Sequence, residues 1–392
     1  MFKSIEQDFQ VNYRYKLHFT VNLFGTGNTL LRDVFKEYGL HESSESGPFK
    51  VLFVVDDGVA EAHPRLLDRI DTYCEEYPTY LDRVETIVVQ GGERTKNDSA
   101  NVTEILSAIN EKAICRHSFV VAVGGGAVID MTGYAAAIAH RGVKLIRVPT
   151  TVLSQNDAAV GVKNGINAFG KKNFLGTFAP PFAIINDIEF LKTLEQRDWI
   201  AGIAEALKVA LIKDADFFAY LEGNARKLRE RDDEAMQYTI YKCAEMHMQH
   251  IAQGGDPFES GSSRPLDFGH WAAHKLEHMT DYRLRHGEAV AMGIVLDVTY
   301  AHLMELITDV DLDRIVRVFQ AIGFNLELPI DTESEIKRLL NGIEEFREHL
   351  GGQLTITLIS GIGKKHDVHE IDNDLMVEAL HQVKEIANSK TI

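Results

Sequence analysis

The 392-residue chain is short of cysteine, of positive charge and of unbroken apolar sequence, and each shortage removes a class of protein. Its three cysteines, Cys74, Cys115 and Cys243, lie far apart and form no Cys-x-x-Cys, so neither a disulfide framework nor a thiolate metal site is expected. A reducing, cytoplasmic setting fits them. Lysine and arginine number 41 against 58 aspartates and glutamates, a formal net charge of -17. Nucleic acids and anionic membranes both call for an extended cationic face, so neither is an expected partner. A small anion remains compatible if a few cations gather locally. The opening Met1-Phe-Lys-Ser-Ile-Glu-Gln-Asp8 carries charges where a signal peptide has an apolar stretch, which implies no export. The longest apolar run, Phe119 to Ala139, contains Gly124-Gly125-Gly126 and Asp130, a charge that is costly at mid-bilayer. It reads as a buried strand, a glycine turn and a buried helix.

What is present points to two packed units sharing a cleft, since the length is two to three times that of a usual domain. The first half alternates β-branched runs with helix-length segments: Val51–Val55, Thr86–Val89, Phe119–Val123, Leu145–Val148 and Ala183–Ile185. Such runs predict a parallel sheet covered on both faces by helices. Beyond Asn186 apolar residues recur at helical spacing, as in Ile203, Leu207 and Leu211. The expected fold class is therefore α/β, with a Rossmann-like parallel-sheet domain at 1–186 and a mainly α-helical domain at 187–392 holding one late strand, Leu354–Leu358.

Three groups of residues carry chemistry. Gly124-Gly-Gly-Ala-Val-Ile-Asp130 follows a strand and opens a helix, where backbone N–H groups can approach a pyrophosphate; the same triplet also serves a plain tight turn. Asp56 and Gly91-Gly-Glu93-Arg-Thr-Lys96 follow neighbouring strands and offer acceptors for ribose hydroxyls and a cation. Six of the 16 histidines, His247, His250, His270, His274, His278 and His286, fall within one short stretch. His270 and His274 share a helix face, and Glu205, in an apolar helix where a lone carboxylate would be expensive, is the candidate third ligand of a divalent metal. For His247, His250 and His278, surface or capping roles are the simpler expectation. Finally Asp157, Lys163, Asn167, Lys171, Lys172 and Asn173 are threaded through glycines after Thr150-Thr151, as an anion pocket or a basic surface loop, with Arg141 and Lys208 able to join it.

Together the motifs resemble the sugar phosphate cyclases, the superfamily of 3-dehydroquinate synthase. The matching run extends from Asp56 to Glu288 through Gly-Gly-Glu93-x-x-Lys96, Gly-Gly-Gly-x-x-x-Asp130, Arg141-Gly-Val, Val-Pro-Thr-Thr151, Gly161-x-Lys163, Gly170-Lys-Lys-Asn173, Ala204-Glu205-x-x-Lys208, Gly-His270-x-x-x-His274-x-x-Glu277 and His286-Gly-Glu. The resemblance implies a homodimer acting on a small sugar phosphate. It implies NAD on Asp56, Glu93, Lys96, Gly124, Gly125, Gly126, Asp130, Thr150 and Thr151, and a divalent metal, zinc or alternatively cobalt, on Glu205, His270 and His286. Asp157, Lys163, Lys208 and His274 would face the reacting carbons, and Arg141 and Asn173 the phosphate. Further substrate contacts would fall to Arg264 and Asp267. The implied reaction is a transient oxidation, phosphate elimination, reduction and intramolecular aldol closure, with no net redox change.

The likeness to dehydroquinate synthases is incomplete. Their lysine upstream of the Gly-His motif corresponds to Met246-His-Met-Gln-His250, Arg264 is shifted by one, Asp267 stands where asparagine is usual, and Phe346-Arg-Glu-His349 replaces an Asp-Lys-Lys element. Arg347-Glu-His-Leu-Gly-Gly352 and Gly161-Val-Lys163 look more like the branch that cyclises sedoheptulose 7-phosphate. That substrate is expected ahead of 3-deoxy-arabino-heptulosonate 7-phosphate. A polyol dehydrogenase similar to glycerol dehydrogenase and a non-catalytic sugar-phosphate sensor are the rival expectations.

Overall fold

The computed structural model describes residues 4–41, 47–169, 171–254, 257–258, 266–349 and 352–388. Arg264 and Gly170 lie outside the described residues. The chain divides into two compact units, one made of residues up to Val148 plus Val162–Asn186, the other of Pro149–Gly161 plus Asp187 onward. The expected division at residue 186 counted Pro149–Gly161 with the sheet. By its packing the segment goes with the helices, because Gln155 Nε2 donates to the carbonyls of Pro149 and Asp187 (3.0 Å each) and Asn156 Nδ2 to that of Gly202 (2.8 Å).

The first unit is built on β1 (Lys16–Thr20), β2 (Phe49–Asp56), β3 (Leu81–Val89), β4 (Phe119–Gly124), β5 (Lys144–Pro149) and β8 (Ala183–Asp187), in the order β1-β8-β5-β4-β2-β3. All five β-branched runs lie in these strands. β1 escapes such a search because Lys16-Leu-His-Phe-Thr20 alternates polar with apolar. Helices α1 (Leu30–His41), α2 (Asp57–Ala62), α3 (Leu66–Glu76), α4 (Ser99–Glu111) and α5 (Gly126–Ile138) connect them. Val51–Val55 and Phe119–Val123 are buried throughout, as expected of central strands covered on both faces. β2 runs parallel to β3 and to β4, with Asp56 opposite Val89 and Val55 opposite Val123, which brings Asp56, Gly91 and Gly124 to one end of the sheet. The chain reverses direction across the sheet at β2/β4, the crevice where doubly wound sheets bind ligands. The glycine-threaded lysine segment is not a loop: β6 (Lys163–Ala168) and β7 (Lys171–Phe178) form an antiparallel hairpin, with Gly165 facing Gly176 so that the two backbones can approach.

The second unit contains α6 (Gln196–Ala201), α7 (Ile203–Lys213), α8 (Ala215–Arg229), α9 (Asp233–Gln253), α10 (His270–Met279), α11 (His286–Leu303), α12 (Asp309–Ile322), α13 (Glu333–His349) and α14 (Asn373–Asn388). Its late strand region is a pair, β9 (Ile356–Ile359) and β10 (Lys365–Val368), rather than one strand; the polar Lys-His-Asp of β10 hides it from a search for apolar runs. α7 is buried from Ile203 to Ile212 and α11 from Gly287 to Ala301 apart from one position, Glu288, so both are apolar all round, as central helices are. α11 lies directly on the turn that starts α10. A Cβ on Gly293 would come 2.1 Å from the carbonyl oxygen of Gly269, and Gly269 itself has φ +77°, a conformation that suits glycine.

Candidate active site

In the second unit α7, α10 and α11 each contribute one side chain to a single point. Glu205 is 0% exposed, and its Oε1 lies 3.6 Å from His270 Nε2 and 3.5 Å from His286 Nε2. The three ligand atoms all lie within 4.8 Å of one another. Both imidazoles are oriented from behind. His270 Nδ1 donates to the carbonyl of Phe268 (3.0 Å), and His286 Nδ1 donates to Glu277 Oε2 (3.2 Å). Each ring therefore turns its Nε2 toward Glu205. Neither carboxylate oxygen of Glu205 has a hydrogen bond of normal geometry, although the Lys208 ammonium one turn along α7 is ion-paired with Oε2. A buried carboxylate is expensive without compensation, and burial alone would raise its pKa. Lys208 and the two imidazoles instead hold it well below the usual carboxylate range. Burial and Lys208 push His270 down to about 4, which keeps it neutral. One buried carboxylate and two oriented imidazole nitrogens are the donor set of a divalent ion with open positions, and the residues fit such a group.

The surroundings extend this cluster. Asp157 Oδ1 accepts a hydrogen bond from His247 Nδ1 at 3.1 Å. Burial and Glu205 would raise its pKa, but His247 and Lys208 bring it below the ordinary aspartate value. Burial lowers the Lys208 pKa, yet Glu205 and Asp157 more than offset this and keep the ammonium charged. His274 is exposed, its ring 5.5 Å from that of His270 and 6.0 Å from that of His286. Under the turn before α10, Asp297 accepts from the Gly269 N–H (3.0 Å) and from Trp271 Nε1 (2.8 Å), and burial raises its pKa to about 7. Asp267, also buried, accepts from Thr357 Oγ1 at 3.3 Å. At the start of α11, Arg197 clamps Glu288 through Nε (2.5 Å) and Nη2 (2.6 Å), while Glu288 accepts from the Arg285 N–H. This fixes the helix terminus that carries His286.

In the first unit, the residues after the strands form a polar network of their own. Lys96 is buried and donates to Asp130 Oδ2 (2.9 Å) and to Asn173 Oδ1. Asn173 sits in the left-handed region (φ 53°), and its N–H reaches Asn167 Oδ1 at 2.8 Å. Asn167 in turn donates to Glu93 Oε1 at 3.2 Å. Gly125 is the N-cap of α5 without a side-chain cap, leaving the helix N-terminus open to an anion. A Cβ on Gly91 would come 2.4 Å from the Asp56 carboxylate, and one on Gly124 3.0 Å from Asp56 Cβ, so both glycines are needed for the strand ends to sit this close. Asp56 caps α2, accepting from Gly58 and Val59 N–H groups, and burial raises its pKa. These features fit a pyrophosphate-bearing cofactor.

The structure thus brings together Glu205, His270, His286, Lys208, Asp157 and His274 in one unit, and Glu93, Lys96, Asp130 and Asn173 in the other. Thr151 is engaged with Ser154 (2.8 Å), and the hydroxyl of Thr150 is buried without a partner. Lys163 is an exposed residue at the start of β6, and Arg141 is exposed in a left-handed turn (φ 65°). Of the histidines expected at the surface, His278 is exposed, whereas His247 is half-buried against Asp157. The sequence reading gave no separate role to Glu277 or Asp297. The argument that singled out Glu205, a carboxylate inside an apolar helix, applies equally to Asp297. Fully buried Arg147 on β5, which donates to Asn164 Oδ1 (2.7 Å), left no motif to find it by.

A Rossmann-like sheet unit with the uncapped N-terminus of α5 after β4, and a helical unit converging a carboxylate and two oriented imidazoles, have the construction of an enzyme. Comparison with known proteins specifies which kind. The family descriptions 3-dehydroquinate synthase N-terminal and 3-dehydroquinate synthase C-terminal match residues 86–201 and 202–344, and the chain belongs to the 3-dehydroquinate synthase family. The 3-dehydroquinate synthase of Shewanella frigidimarina is 34% identical over 339 residues, covering 84% of this chain and 89% of that protein. Among solved structures, ValA, a 2-epi-5-epi-valiolone synthase from Streptomyces hygroscopicus with NAD+ and Zn2+ bound, is 27% identical with a TM-score of 0.85, over 97% of this chain and 99% of that one. A 2-deoxy-scyllo-inosose synthase shares the fold at a TM-score of 0.74 and 21% identity, covering 94% and 96% of the two chains. The resemblance and the fold class read from the motifs are those the comparisons show.

Proposed function

We propose that this chain is an NAD- and divalent-metal-dependent sugar phosphate cyclase that converts a heptulose 7-phosphate, sedoheptulose 7-phosphate in the first instance, into a carbocyclic cyclitol with loss of phosphate. The observation that carries this reading is the convergence of Glu205, His270 and His286 with both imidazole Nε2 atoms turned toward one carboxylate oxygen. Zinc is the expected ion, with cobalt as a substitute; ValA, similar over almost the whole chain, is known with NAD+ and Zn2+ bound. When present, NAD supplies reversible hydride transfer and the ion acts as a Lewis acid on an oxygen of the substrate.

The chain's own groups supply the rest. Glu205, His270 and His286 would hold the ion and leave positions open for substrate oxygens. Lys208, held charged by Glu205 and Asp157, stabilises negative charge on an oxygen and does not serve as a base at neutral pH. Asp157, kept ionised with help from His247, accepts hydrogen bonds from substrate hydroxyls. His274 is exposed beside the two ligand rings and faces the reacting carbons. Lys163 faces the reacting carbons, and Asn173 and Arg141 receive the phosphate end. Asp56, Glu93, Lys96, Gly124–Gly126, Asp130, Thr150 and Thr151 hold NAD, and Asp267 and Arg264 contact the far end of the sugar.

The carboxylate-free substrate is favoured by what stands at Met246–His250. That stretch has no lysine where dehydroquinate synthases carry one, its His247 lies against Asp157, and the buried Asp267 stands where asparagine is usual, an acidic group that would repel a carboxylate. The second reading, a 3-dehydroquinate synthase acting on 3-deoxy-arabino-heptulosonate 7-phosphate, has the names of the curated relatives in its favour. Incubating metal-loaded protein and NAD+ with each heptulose phosphate, and measuring inorganic phosphate and product mass, decides between them. Phosphate release from sedoheptulose 7-phosphate, lost in His270→Ala or with a chelator, is the expected result. Release from the carboxylated sugar alone moves the assignment to the second reading, and accumulation of NADH without phosphate establishes a dehydrogenase.

A further inference from the structure

The β6/β7 hairpin, which carries Lys163, Asn167 and Asn173, is a sheet of its own two strands and is not hydrogen-bonded into the six-stranded sheet. An isolated pair of strands is marginally stable, so its place must be fixed by what touches it. Its second strand offers little: β7 is mostly exposed, with Phe174 49% and Phe178 51% open to solvent. α5 packs along β6. A second tie comes from a side chain of β5.

Arg147 of β5 is 0% exposed, and a buried guanidinium is costly unless its donors are used. Burial pushes its pKa down to about 10, and the charge of Asp130 is the largest offset. Asp130 also pairs with Lys96, which donates to Asn173, so Arg147 belongs to the network that holds the hairpin's amides. Its Nη2 donates to Asn164 Oδ1 at 2.7 Å and lies 3.5 Å from the carbonyl oxygen of Lys163. Asn164, itself buried, passes the contact on. Its Nδ2 donates to the carbonyl of Ala179 (3.0 Å), the residue after β7, whose own N–H bonds the carbonyl of Val162 (2.9 Å) just before β6. One amide thus closes the root of the hairpin, and one guanidinium fixes that amide to the main sheet. Gly133 of α5 makes room for it, since a Cβ there would come 1.9 Å from Asn164 Oδ1.

We propose that Arg147 is a positioning residue for the substrate: acting through Asn164, it sets where the β6/β7 hairpin presents Lys163 to the reacting carbons and Asn173 to the phosphate. Replacing a buried charge by an apolar residue of similar size is often neutral or stabilising, so stability alone is a weak reason for a guanidinium here. Its planar fork supplies what an apolar side chain lacks, a directed bond to one amide. The inference rests on the cyclase reading above.

The test uses the full chain loaded with zinc and NAD+, with kcat and KM read from phosphate release on whichever heptulose 7-phosphate the parent turns over. Arg147→Met is expected to lower kcat/KM by about 30-fold or more, because a displacement of about an ångström at the reacting groups has effects of that order. The inhibition constant of inorganic phosphate rises with it, while zinc affinity, which belongs to the other unit, stays within about twofold. Arg147→Lys, which keeps a donor for Asn164, recovers most of the loss. Asn164→Ala reproduces the loss, and the double variant is no worse than the more impaired single one, since both remove the same bond. Unchanged kcat/KM in Arg147→Met or Asn164→Ala, losses that multiply in the double variant, or a loss of zinc affinity of the same size each overturn the proposal; should Arg147→Met not fold, Asn164→Ala with Arg147→Lys decides. A parent that releases no phosphate from any heptulose phosphate refutes the cyclase reading instead. Hydrogen exchange then judges Arg147 by itself: faster exchange across residues 163–178 in these variants supports the tie, and unchanged exchange overturns it.

Discussion

Glu205 is a fully buried carboxylate whose two oxygens have charge beside them but no hydrogen bond of normal geometry, and this explains why its neighbours are arranged as they are. The group that fixes His286 is Glu277, whose Oε2 accepts from Nδ1 at 3.2 Å. Removing that acceptor charge leaves the ligand ring present but less basic and less well oriented. Glu277→Gln is expected to lower metal affinity by roughly 10–100-fold with the fold intact, as measured by competition with a chelating indicator. His247 acts in the same way on Asp157. Without its hydrogen bond the pull that brings Asp157 below the ordinary aspartate value is weakened, so the carboxylate protonates at a higher pH. For His247→Ala the acidic limb of the kcat/KM profile therefore moves upward, and His247→Gln, which keeps an N–H donor, recovers part of the shift. An unmoved limb in His247→Ala would show that Asp157 is tuned by Lys208 alone. Glu205 and the His270/His274 spacing were legible because each is an anomaly within its own helix. His247 was not, because nothing in its local sequence separates a histidine on a surface from one reaching another element.

At the scale of elements, the position of His270 depends on how α11 lies against the turn before α10. Gly293 lets the two backbones touch, and Asp297 binds the N–H of Gly269 and the indole of Trp271 from beneath. Burial raises the pKa of Asp297 to about 7, above its unfolded value near 4, so the folded protein holds a proton there that the unfolded chain has released. The sign follows from linkage: this group costs nothing below about pH 4 and costs progressively more as the pH climbs toward 7. Urea unfolding across that window should show wild-type stability falling relative to Asp297→Asn by on the order of 3 kcal/mol. The slope is the readout, because the asparagine amide can match only one of the two hydrogen bonds and shifts the absolute stability. Strands β2 to β5 and β8 were readable from β-branched runs, whereas the β6/β7 hairpin was read as a loop. Its glycines suggested a backbone curling round an anion, but Gly165 and Gly176 face each other across the ladder and serve its close approach.

At the scale of the molecule, each of the two units has its own buried core, and no helix among the described residues is long and apolar enough to cross a membrane. Ligands that bind only folded protein stabilise the unit that holds them. Hydrogen exchange on the apo protein, then with zinc, should show the largest gain in amide protection in α7, α10 and α11; protection gained elsewhere and not there would remove the metal assignment. The sequence by itself determined the kinds of element, the α/β-plus-helical plan, the family and the candidate ligands, because hydrophobic period, glycine punctuation and residues one turn apart are local properties of a chain. Only the tertiary structure decided that α7, α10 and α11 meet at Glu205, that His247 faces Asp157 and that Lys96 joins Asp130 to Asn173. Those contacts join residues tens of positions apart, and where the chain places them depends on how whole helices and strands pack, which no short window of sequence contains.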